Sequence, residues 1–357
     1  MTPSLAMIRE RLHDHAVLLH RQGKDDPLPA GGAPYPDDQR PRTGIGGDAR
    51  RVGADVAKIL DKHFASPAAA PRALVGAFDG VYVPVNDNEH VAAAALRAGR
   101  KRVRRTGRWL VRYGVDRREV AVGLALLGTD ETASDKDIEL IRTIGLLSAE
   151  FGALAVESLR HRGDAGIEAL LWLAARTRGW GRVHAIEALC TVAVLPEVRD
   201  WLLRHACAGD DLDAVTAVAV ATAAHLHAAI IDPDADDEVV DHAAALLRAM
   251  ADGSGQGMSL ADYPPARHVL AAHARRLARQ KPTWARFAAA AVIADRIARL
   301  EPEQLGCTKK QRERLVERYE KILRQRRWQA VVPRRKAKSR GKAKPAPRRR
   351  TNRRTAR

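Results

Sequence analysis

The chain has no run of about 18 consecutive apolar residues, so no segment of its sequence reads as a membrane-spanning helix. It has only three cysteines, Cys190, Cys207 and Cys307, far apart and without a Cys-x-x-Cys spacing. That excludes a disulfide framework or a zinc knuckle as the organising device and points to small buried thiols. Aromatic residues make up only 4%. Strand-like alternation is nearly absent too: the main exception, Val81-Tyr82-Val83-Pro84-Val85, is short and broken by a proline, and is expected to be an extended connection. The first 22 residues carry Arg9, Glu10, Arg11 and Asp14, too much charge for a signal peptide. Together these absences predict a cytoplasmic protein. No catalytic motif stands out from the background.

What the chain does have is Ala, Leu and Arg in abundance over 357 residues, enough for a large core and strongly favourable to helix. The formal net charge is +18, but thirteen Lys or Arg and no acid lie between Arg334 and Arg357, which leaves +5 for the rest. This C-terminal segment holds Pro345 and Pro347 and no large apolar residue, so it cannot bury enough surface to offset the entropy of ordering. The expected organisation is an N-terminal helix in residues 1–22, a Pro/Gly-rich linker in 23–47, an all-α body in 48–329 and a disordered basic tail in 330–357.

Within the body, apolar periodicity predicts helices over 86–98, 100–113, 117–127, 135–147, 150–161, 165–176, 180–192, 196–207, 211–229, 234–251, 265–279, 284–299 and 308–328. Asn86 with Glu89 and Asp116 with Glu119 have the spacing of capping boxes, and Asp232-Pro233 reads as a cap followed by proline at the first helical position. Gly114, Gly128 and Gly163 fall at expected helix ends. The last helix is amphipathic, with Leu315, Tyr319, Ile322 and Leu323 on one side, as expected of a packing helix that closes the core.

One repeat stands out. Ile138, Glu139, Phe151 and Gly152 return 29 positions on as Ile167, Glu168, Trp180 and Gly181, and Ala155-Val156-Glu157-Ser158-Leu159 returns as Ala185-Ile186-Glu187-Ala188-Leu189. A period near 30 built from two helical stretches is the pattern of stacked helix pairs. On these residues the chain resembles the short-repeat variety of the HEAT-like superfamily. The resemblance implies a right-handed helix-pair solenoid of the HEAT/armadillo kind, whose concave face can hold a protein ligand. The chain as a whole also resembles actinobacterial-type sequences labelled limonene (monoterpene) hydroxylase. That second resemblance implies an oxidoreductase, a monooxygenase that would need NAD(P)H with a metal or flavin.

The densest chemistry is cationic. Arg97, Arg100, Lys101, Arg102, Arg104, Arg105, Arg108 and Arg112 follow one another without an acid. Arg97, Lys101, Arg104, Arg108 and Arg112 are three or four apart, so a helix running through would present one basic face, with Trp109 and Tyr113 nearby. Such a face suits phosphate-backbone contacts, and the tail offers a second set in Arg334, Arg335, Lys336, Arg348, Arg349 and Arg350. The expected partners are nucleic acid or an acidic protein, and the expected function is a non-catalytic binding module or scaffold with no visible cofactor.

Other constellations carry less. Glu10-x-x-His13 has the spacing of a di-iron ligand pair but stands alone, and His225 and His227 would point to different faces of a helix. Asp232, Asp234 and Asp236 start like a calcium loop, yet Asp237 stands where Gly is required and Ala243 where the bidentate Glu belongs. Gly44, Gly46 and Gly47 lie in the linker, out of context for dinucleotide binding. His184, Glu187 and Cys190 lie within two helical turns, but a glutamate that recurs with the repeat, as Glu157 does, is expected to pair with Arg182 or an arginine of the next unit.

Overall fold

The computed structural model describes residues 10–22, 51–130, 134–209, 211–252 and 258–333. The linker and the tail therefore lie outside the described residues, apart from the tail's first few positions. The described residues form seventeen α-helices and three short 3-10 turns, with no strand among them. In chain order the first eight are α1 (Leu12–Gln22), α2 (Ala54–Ala65), α3 (Glu89–Arg97), α4 (Arg100–Tyr113), α5 (Arg117–Gly128), α6 (Asp135–Ile144), α7 (Ser148–Arg160) and α8 (Gly163–Arg176). There follow α9 (Gly179–Thr191), α10 (Pro196–His205), α11 (Asp213–Ala223), α12 (Leu226–Ile231), α13 (Asp237–Asp252), α14 (Ala266–Leu277), α15 (Trp284–Arg299), α16 (Lys309–Leu323) and α17 (Arg326–Gln329). None of them is long and apolar enough to cross a membrane.

Packing runs in a row. Helix α5 lies against α7, α7 against α9, α9 against α11, α11 against α13, α13 against α15 and α15 against α16. On one flank α6 packs on α8, and further along α12 packs on α14. The N-terminal helix is seated on α4 and α6, with Leu12 and Ala16 fully buried.

The sequence repeat is the contact between α7 and α9. Ala155, Val156 and Leu159 on α7 and Ala185, Ile186 and Leu189 on α9 are all core residues. The two repeat-related glycines meet: a β-carbon on Gly152 would lie 2.8 Å from the Gly181 Cα, and one on Gly181 would overlap the Ser148 side chain. The aromatic partners diverge. Phe151 is fully buried, whereas Trp180 is 54% exposed. A second glycine contact joins α4 to α5, where a β-carbon on Gly107 would lie 2.9 Å from the Gly123 carbonyl.

Buried or half-buried arginines cap the ends of neighbouring helices. Arg102 donates to the His63 and Phe64 carbonyls at the end of α2, at 3.1 and 2.8 Å. Arg162 donates to Leu127 at the end of α5, at 2.6 Å. Arg182 bridges Ala174 near the end of α8 and His205 at the end of α10, the latter at 2.6 Å. Arg312 and Arg327 do the same for Leu300 and Ala278, the residues that follow α15 and α14. A guanidinium there satisfies carbonyls that a helix leaves unpaired and meets the negative end of the dipole. Part of the arginine content is thus structural.

Three local expectations need correction. The helix expected over 211–229 is two, α11 and α12, because His225 adopts left-handed geometry (φ 53°) and breaks the Ala-rich run. Consequently His225 and His227 do not share one helix; they flank its first turn, with ring centroids 6.3 Å apart. The cap of α3 is Asn88, accepting from the Val91 amide at 3.2 Å, and not Asn86. Asp232-Pro233 forms a turn, with the Asp234 amide donating to Asp232 at 2.9 Å, and α13 starts instead at Asp237 with Asp236 accepting from the Val239 amide at 2.9 Å. Each of these acids is a competent cap, and the one followed by uninterrupted helix formers is used.

Two histidines are held neutral inside the stack. His273 on α14 places Nδ1 2.8 Å from the Tyr319 hydroxyl, which donates to the Leu270 carbonyl at 3.1 Å, and His242 accepts from the Cys207 amide at 3.2 Å. Burial pushes both pKa values down to about 4. The unfolded chain takes up these protons from about pH 6.5, and the folded chain only near pH 4. Stability is therefore full above pH 6.5 and falls as pH drops through that window, by up to about 1.4 kcal/mol per unit per histidine. Urea midpoints at pH 7.5 and pH 5 should show the loss, reduced in His273→Phe; a flat profile would contradict it.

Candidate polyanion interface

Helix α4 buries Val103, Thr106, Gly107, Leu110 and Val111 and leaves Lys101, Arg105, Arg112 and Tyr113 exposed. The small residues at 106 and 107 let the helix lie close on α5, so its cations are carried on a rigid support. The basic face does not run through from Arg97, because α3 ends there and α4 starts at Arg100.

The cations divide into two groups. Arg97 is held by Asp61, at 2.7 Å. Asp130, almost fully buried, takes Arg100 at 2.8 Å and Arg104 at 3.7 Å. Asp137, also buried, takes Arg108, whose Nη2 reaches Oδ2 at 2.8 Å and the Ser134 hydroxyl at 2.8 Å. The bond to Asp137 raises the Arg108 pKa above its ordinary value. These four arginines tie α3 and α4 to their neighbours. Lys101, Arg105 and Arg112 have no carboxylate partner among the described residues.

Lys101, Arg104, Arg105, Arg108, Trp109, Arg112 and Tyr113 line one open groove of about 360 Å³. The Trp109 and Tyr113 ring centroids are 5.6 Å apart, and the Arg11 guanidinium stands 4.8 Å over the Tyr113 ring. Burial first, and then the Arg112 charge, push the His13 pKa down, so no further cation comes from that side at neutral pH. The sequence pattern pointed to this stretch but not to its division. Asp130 and Asp137 lie 30 and 29 residues after Arg100 and Arg108, one repeat period away, which is the signal that links them.

Arg334, Arg335, Lys336, Arg348, Arg349 and Arg350 lie outside the described residues.

A second pair of open grooves, about 280 and 350 Å³, runs over the outer faces of α5, α7 and α9 and shares Asp87 and Glu157. The repeated glutamates face it without the expected Arg182 partner, which is spent on carbonyls. Glu157 accepts from Arg160 at 3.1 Å and stands 3.3 Å from His161, while Glu187 lies 3.6 Å from His184. Burial and the Glu187 charge push the Cys190 thiol up to about 12, so it stays protonated and is a poor nucleophile. Cys207 and Cys307 are raised by burial too. Among the described residues no group of three or more His, Cys, Asp or Glu is placed to hold a metal ion.

Comparison with known proteins gives no match to the chain, whether to a family model, a curated protein or a solved structure.

Proposed function

We propose that this is a helical-repeat binding protein, a right-handed solenoid of the HEAT/armadillo kind, that associates with nucleic acid through the α4 face and the basic tail. The row of helices from α5 to α16 and the 29-residue recurrence of Gly152 at Gly181 support the solenoid. The observation that carries the function is the division of cations on α4. Acids offset the arginines that hold the helix in place and leave Lys101, Arg105 and Arg112 beside two aromatic rings. Exposed cations on a rigid face match a phosphate backbone, and each phosphate they neutralise releases counterions.

The test is a salt titration of binding to a labelled oligonucleotide, with the full chain and with a chain ending at Pro333. Between 50 and 200 mM salt the full chain should lose affinity on the order of 10³-fold, as about six phosphate contacts require. The shortened chain, left with roughly three contacts, should bind more weakly and lose only tens of fold. Affinity that ignores salt, or no binding at all, would overturn the proposal.

A further inference from the structure

We propose that the nucleic acid at α4 is single-stranded, with Trp109 as the platform on which an unpaired base stacks. This rests on the nucleic-acid reading of the same groove and goes beyond it.

Trp109 packs partly against the core and also lines the basic groove. One part of the indole is thus fixed and the rest faces the space between the cations. Tyr113 is 40% exposed, but Arg11 already stands over its ring. Trp109 is therefore the ring left to receive a ligand's flat face. Along the helix it lies between Arg105 and Arg112, and the stretch from Lys101 to Arg112 covers about 16 Å. That spacing puts a large apolar ring among charges that would follow a backbone on either side of it.

In a duplex the base faces are stacked on one another, so an indole among the backbone contacts finds nothing to cover it. A single strand can turn a base onto the ring while its phosphates reach the cations. Platforms of this type bind without reading sequence, because every base has a π-face. The groove is open, with no enclosed pocket for a base edge, which agrees with recognition by stacking.

The experiment uses the full chain, Trp109→Ala and Trp109→Phe. Probes are a labelled fifteen-nucleotide oligo(dT), a hairpin duplex with the same phosphate count, and inorganic polyphosphate. The single strand should bind roughly tenfold tighter than the duplex. Trp109→Ala should weaken the single strand by about tenfold or more, within the range that loss of one base–aromatic stack gives. The duplex and polyphosphate should be unaffected, and Trp109→Phe, which keeps a ring and the local packing, should retain most of the affinity. Oligo(dT) should also quench a tryptophan signal that is present in the wild type and missing from Trp109→Phe. Equal binding of strand and duplex, unmoved by Trp109→Ala, would overturn the single-strand proposal and leave the nucleic-acid reading standing. Polyphosphate binding as tightly as oligo(dT), with no dependence on Trp109, would also overturn it. Failure of every probe to bind would bring down both.

Discussion

Gly181→Ala is expected to destabilise the protein by about 2 to 3 kcal/mol, although helix propensity taken alone predicts a gain of about 1 kcal/mol. The opposition of sign makes the result informative. Gly181 lies in the first turn of α9, where the backbone touches α7, and an added methyl would overlap the Ser148 side chain. A rotamer change of Ser148 does not clear it, because the Ser148 carbonyl oxygen is also only 3.0 Å from the same position. The helices must move apart, and the closely packed Ala155, Ala185 and Leu189 layers move with them. Gly152→Ala should lose stability for the same reason, since its β-carbon would lie 2.8 Å from the Gly181 Cα. Because the two substitutions crowd one contact, their effects in the double variant should not add. Urea denaturation of the three variants checks this; a rise in stability for Gly181→Ala would mean that α7 and α9 are not in contact there.

The glycine pair shows how much of the fold the sequence made legible. A recurrence of glycine at a fixed helical phase, followed by a recurrent Ala-aliphatic-x-x-Leu core, has few physical uses other than close stacking of like helices, and α7 and α9 stack in that way. Helix starts such as Asp116 on α5 were equally readable, because its cap bond to the Arg118 amide is local chemistry. The break at His225 was not. Nothing in an Ala-rich stretch marks a left-handed residue that is neither Gly nor Asn, and the turn is imposed by packing of α12 against α14. The start of α13 was obscured differently, by four closely spaced acids that could each cap it.

The candidate site was legible as composition and not as geometry. A count of arginines cannot separate those that hold carboxylates or helix ends from those that face solvent. Arg102, for example, belongs to the basic run yet serves the carbonyls at the end of α2. The acids that neutralise Arg100 and Arg108 come from the following helix pair, so the run looks uninterrupted until the chain is folded. The glutamates of the repeat also escaped: their partners are histidines and an arginine on their own helices.

The largest expected change in binding follows from that division. Lys101→Glu, Arg105→Glu and Arg112→Glu combined should leave the fold nearly untouched, since all three side chains are exposed and make no ion pair among the described residues. Affinity should nevertheless fall at least about 100-fold at 100 mM salt, because three phosphate contacts are replaced by three repulsions. A neutralising control, Arg104→Gln with Arg108→Gln, should act differently. It exposes the buried Asp130 and Asp137 to an uncompensated charge and should lower stability first.

The most direct test is the slope of log affinity against log salt for the full chain binding oligo(dT), measured before and after the triple reversal. The slope should become shallower by about 3 or more, one unit for each lost contact, with an unchanged circular dichroism melt. An unchanged slope and affinity would show that the α4 face does not carry the interaction.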